Sequence, residues 1–97
     1  MTQPSHPRWT VSAEEHPTEV LQQILKSDEQ LYRRLMLFLR SAALETGIAI
    51  DAGRRPPGMA MTDGRIALDV PREGVLVYYE PDPAVREMVV TDVVWVG

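Results

Sequence analysis

The chain has 97 residues, room for one domain, with 44 % hydrophobic and 25 % charged residues, ordinary values for a globular protein. Fourteen acids against ten bases leave a net charge of −4, the opposite of the balance a general nucleic-acid binder shows. The absence of cysteine excludes disulfides and thiol chemistry and fits a reducing cytoplasm, and no apolar run reaches the ~18–20 residues of a membrane span.

Residues 1–7, with two prolines and His6, read as a flexible tail, and residues 8–97 as a single α+β domain. Arg8-Trp9-Thr10-Val11-Ser12 alternates and gives a short strand with Trp9 and Val11 on one face. Pro17 suits the start of a helix, where a missing N–H costs nothing, and Val20, Leu21, Ile24 and Leu25 form one stripe. A helix over 17–26 follows. Ser27-x-x-Gln30 has capping-box spacing. Leu31, Leu35, Phe38 and Ala42 then recur at helical intervals, widened by Met36 and Leu39, up to Gly47 as the stop, so a second helix is expected over 28–46. The two helices make a hairpin.

Beyond Gly47 the period changes. The segment Gly53-Arg54-Arg55-Pro56-Pro57-Gly58 is a loop with a basic tip, continued by residues 59–64. Arg65–Val70 alternates, with Ile66, Leu68 and Val70 inward, and Pro71–Gly74 is a turn. Val75–Tyr79 is apolar on both faces, as a strand covered on both sides would be. Pro81-Asp82-Pro83 turns the chain again. Val85–Val96 is a long strand with Met88, Val90, Val94 and Val96 in phase, and Asp92 breaks that face, predicting a bulge near Thr91-Asp92. The expected fold class is α+β: a helical hairpin packed on a small antiparallel sheet, in the order β-α-α-β-β-β, with the first strand at an edge.

Element order, the hairpin over 17–46 and the segment Arg65-Ile-Ala-Leu-Asp-Val-Pro-Arg-Glu-Gly-Val-Leu-Val-Tyr-Tyr79 resemble the RelE/ParE superfamily of bacterial toxins from type II toxin–antitoxin pairs. Gly74, Val77, Tyr78 and Tyr79 fit the family's third strand, and Met88–Val96 looks like its valine-rich final strand. The resemblance covers about nine-tenths of the chain. It implies a cytoplasmic protein with a protein partner, an antitoxin or another chain. For the RNA-cleaving members it implies basic residues and a tyrosine or histidine around a scissile phosphate, stabilising charge and moving a proton. This sequence departs there: the third-strand arginine position holds Val75 or Leu76, no base follows Trp95-Val96-Gly97, and only Tyr79 keeps its type as a catalytic candidate. The reading is therefore a toxin-family protein acting through protein binding; the departures argue against RNA cleavage, and if the chain is an enzyme the resemblance implies an endoribonuclease-like activity. The alternative is a non-catalytic module that binds a partner or a second copy through an exposed sheet edge.

Six arginines are candidate binding residues. Arg54 and Arg55 are adjacent bases in a loop, Arg65 and Arg72 flank a strand, and Arg33 and Arg34 lie, with Arg40, on the second helix where an antitoxin segment would lie if the resemblance holds. Arg65 and Arg72 could equally pair with Asp63, Asp69 or Glu73. Tyr78 and Tyr79 must face opposite sides of their strand, one of them under the helices. Trp9 and Trp95 could meet if the first and last strands are neighbours. His16 reads as a residue leading into a helix. No metal-binding spacing, phosphate-cradling loop or dinucleotide fingerprint is present, so no cofactor is expected.

Overall fold

A computed structural model describes residues 8–96, so the expected tail over 1–7 lies outside the described residues. In chain order the elements are β1 (Thr10–Ala13), α1 (Glu15–Ser27), α2 (Glu29–Asp51), β2 (Met59–Ala60), β3 (Ile66–Val70), β4 (Val75–Asp82) and β5 (Glu87–Trp95). The five strands form one sheet in the order β1-β5-β4-β3-β2. The fold is α+β, and the sheet is mixed rather than antiparallel. The β3-β4-β5 meander is antiparallel, as short connections require, while β1 pairs with β5 in parallel. A parallel neighbour needs a long crossover, and the whole helical hairpin lies between β1 and the rest of the sheet. The two-residue β2 was expected as loop; it pairs with β3 through Met59–Ala67 and Ala60–Ile66.

The helices begin and end for local reasons. Pro17 lies in the first turn of α1, where its missing N–H leaves no bond unmade. At the start of α2 the cap is Asp28 instead of Ser27: its carboxylate accepts from the Leu31 N–H at 3.0 Å. The stop comes later than expected. Gly53, at φ +71°, ends the helix; its N–H donates to the Ile50 carbonyl, and the Arg54 N–H donates to the Ala49 carbonyl at 2.7 Å. This pair of bonds is the left-handed glycine termination. Gly47 is inside the helix and buried, and a Cβ there would come within 2.7 Å of Trp9 Cγ. Its missing side chain makes room for a tryptophan.

One face of the sheet carries the core. Val75, Val77, Tyr79, Met88, Val90 and Val93 pack against Leu21, Ile24, Leu31, Leu35, Leu39, Ala42 and Ala43 of the two helices. Among the described residues no helix lies over the opposite face, so Leu76 and Tyr78 are half-buried and β4 is covered on one side only. The bulge falls at Thr91: Tyr78 pairs with Asp92 and Tyr79 with Val90. The extra residue shifts the phase of β5, so Val93 is buried while Val94 and Val96 are exposed. β4 runs on through Pro81 to Asp82, past the last β3 partner, where a proline's missing donor is tolerated.

Candidate interaction surface

The six candidate arginines do not converge. Arg33 is on the first turns of α2 and Arg54 beyond its last, roughly 27 Å away along the axis at 1.5 Å per residue. Arg33 pairs with Glu29 at 2.6 Å, one helical turn before it. Arg34 makes a two-pronged contact with Glu73, at 2.6 and 3.1 Å, tying α2 to the β3–β4 turn. The Arg34 guanidinium holds the Glu73 carboxyl below its ordinary pKa. Arg65 closes a ring with Asp63, which accepts from both its backbone and its side chain. These two hydrogen bonds lower the Asp63 pKa. The Arg65 guanidinium also lies 4.7 Å from the centre of the Tyr78 ring. Arg72 sits in the β3–β4 turn at φ +69°, exposed, and its expected neighbour Glu73 is taken by Arg34. Arg54 and Arg55 line a depression of about 330 Å³ with Glu45, Ile48, Ala49 and Pro57. Their side chains make no ion pair among the described residues.

The two tyrosines separate as strand alternation requires. Tyr78 is on the open face beneath Arg65. Tyr79, the catalytic candidate, is the one under the helices, with no exposed surface. Its hydroxyl donates to the Pro57 carbonyl at 2.6 Å and so anchors the loop that follows α2. Burial pushes its pKa above the ordinary tyrosine value, partly opposed by the neighbouring Thr46, so the hydroxyl keeps its proton at neutral pH.

The two tryptophans are apart. Parallel pairing sets Thr10 beside Glu87, so Trp9 belongs to the start of β5 and Trp95 to its end. Trp9 is buried against Gly47. Arg86 lies 5.7 Å from its ring and pairs with Asp51 at the end of α2, at 3.2 Å. The Trp9 indole Nε1 is buried without a hydrogen-bond partner. His16 stands 3.7 Å from Asp92 across the bulge.

A groove of about 440 Å³ lies between β1 and α2, and the sequence pattern did not single it out. Trp9, Val11, Met36, Ala43 and Leu44 make it largely apolar, and Arg8 and Arg40 line it as well. Both arginines are exposed and without an ion pair among the described residues. Among the described residues β1 has β5 on one side only, so the groove adjoins an open sheet edge. At the other end of the sheet β2 covers β3 at Ile66 and Ala67 only. The signal for the groove in the sequence was the alternation around Trp9 together with Met36 and Arg40 one turn apart; their meeting depends on the strand's placement. Among the described residues, no helix is long and apolar enough to cross a membrane and no group of three or more metal-ligating side chains gathers. Comparison with family models, curated proteins and solved structures finds no match.

Proposed function

We propose that this chain is a RelE/ParE-like toxin-family protein that acts by binding another protein and does not cleave RNA. The observation that carries the second half of this reading is Tyr79. An acid–base group must come within hydrogen-bond reach of its substrate. Tyr79 is fully buried, and its hydroxyl is committed to the Pro57 carbonyl. Arg34 and Arg65, two of the bases that could serve a phosphate, are engaged by carboxylates of their own chain. The helical hairpin on one face of a sheet that ends in a meander supports the first half. The groove between β1 and α2 suits a partner segment with apolar and acidic side chains, because its lining is apolar and Arg8 and Arg40 beside it are exposed and make no ion pair among the described residues.

Expression of the chain alone in a bacterium is expected to arrest growth while ribosome-bound messenger RNA stays intact, and Tyr79→Phe is expected to arrest growth equally. Cleaved messenger RNA, or loss of arrest in a folded Tyr79→Phe variant, would overturn the non-catalytic reading. Normal growth at confirmed folded expression would overturn the toxin reading. It would leave a non-toxic binding module, which the same groove supports.

A further inference from the structure

The outer face of α2 is also apolar. Leu37, Leu44 and Ile48 are 64 %, 43 % and 63 % exposed. With Ser41 they are spaced by four, three and four residues, the heptad seam along which helices pair. The seam is bounded by Arg34 before it and Asp51 after it, and both are held within the chain, by Glu73 and Arg86. Between those bounds it spans roughly 16 Å of helix.

The flanks of the seam are charged and of opposite sign. Arg33 and Arg40 lie along one side; Glu45 lies on the other. Arg40 and Glu45 are exposed and make no ion pair among the described residues. In a parallel helix pair, related by a twofold along the helices, each flank meets the opposite flank of its mate. Arg40 then faces Glu45 of the second copy, and the contact occurs twice. In an antiparallel pair like flanks meet, which sets arginine against arginine and Glu45 against Glu45. Flanking charges of this kind choose partner and orientation.

We propose that this chain forms a parallel homodimer through the outer face of α2, with Leu37, Ser41, Leu44 and Ile48 as the seam and two reciprocal Arg40–Glu45 ion pairs beside it. The partner is a second copy because the apolar spacing and the charge pattern are self-complementary in this one orientation. The inference does not depend on the toxin-family reading; the seam and its flank share Arg40 and Leu44 with the groove beside β1, so a second copy and a groove-bound partner compete for these two residues.

Light scattering and sedimentation of the full chain over a concentration series are expected to show a reversible dimer. Leu44→Lys should give a monomer with an unchanged circular dichroism spectrum. Arg40→Glu and Glu45→Arg should each weaken dimerisation by about tenfold, and the double exchange should restore it. Because the chain has no cysteine, Ser41→Cys reports orientation directly: Ser41 meets its own copy across a parallel seam, so oxidation should yield a disulfide-linked dimer. A monomer at every concentration would overturn the proposal. Tighter association of Arg40→Glu alone, the result an antiparallel pair gives, would overturn the arrangement.

Discussion

On its inner face α2 presents Leu31, Leu35, Leu39, Ala42, Ala43 and Thr46, all buried; on its outer face it presents Leu37, Ser41, Leu44 and Ile48, with Arg33, Arg40 and Glu45 beside them. Both stripes obey helical spacing. The inner one differs in its small residues: Gly47 lets Trp9 close on the helix, Ala42 and Ala43 are buried in the core, and Leu35 and Leu39 fill the space over the sheet. The outer one ends in charges of both signs. Periodicity thus identifies a stripe, and the size and charge of its neighbours distinguish a core from a surface that receives another helix.

The sharpest way to break this comparison is to truncate one leucine on each face. Leu35→Ala is expected to cost about 2–5 kcal/mol in urea denaturation, because its side chain is fully buried and leaves a cavity. Leu37→Ala, measured at dilution, should stay within about 0.5 kcal/mol of the parent. Equal costs would mean that the two faces do not differ as described. Next comes Gly47→Ala. The added methyl gains up to about 1 kcal/mol of helix propensity and meets the Trp9 ring, which costs about 1–3 kcal/mol, so the net change is expected to be destabilising. Pairing it with Trp9→Leu should remove most of that penalty, a coupling that a thermodynamic cycle reads directly.

Asp28→Ala removes the carboxylate that caps α2 and is expected to cost about 1 kcal/mol, whichever face is considered. The smallest effect concerns the outer flank. Arg34 lowers the Glu73 pKa in the folded state, so the stabilisation is present above the unfolded carboxylate pKa and is lost as pH falls through the folded value. Glu73→Gln should therefore flatten the acid limb of a plot of melting temperature against pH, lowering the melting temperature slightly at neutral and alkaline pH and changing little at the acid end. An unaltered acid limb would show that the Arg34–Glu73 contact does not hold in solution.

Much of this arrangement was legible in the sequence where the cause is local. The helical hairpin follows from its stripes, the meander from two short connections, and the bulge from Asp92 breaking an apolar phase. The Arg65–Asp63 ring joins residues two apart, so the pairing of Arg65 with a nearby acid could be foreseen. Features set by distant residues were misread. A glycine after a helical stripe suits a stop and a close approach equally, and Trp9, far back in the chain, decides between them for Gly47. Glu73 is adjacent to Arg72 in sequence and pairs with Arg34 instead, 39 positions away. The loss of phase after Thr91 moved burial from Val94 to Val93, because a bulge predicted in position still reverses every side chain beyond it.

The parallel pairing of β1 with β5 also orders events in time. Ser12 donates to the Glu87 carboxylate across 75 positions, and Thr10 has no strand to join until β5 has been made. The hairpin and the meander can collapse from neighbouring segments, but β1, which precedes both in the chain, is the last of the described strands that can join the sheet. Contacts of such separation slow folding, because the closure entropy must be met before any pairing rewards it. Shortening the chain before β5 is therefore expected to leave β1 without a place on the sheet.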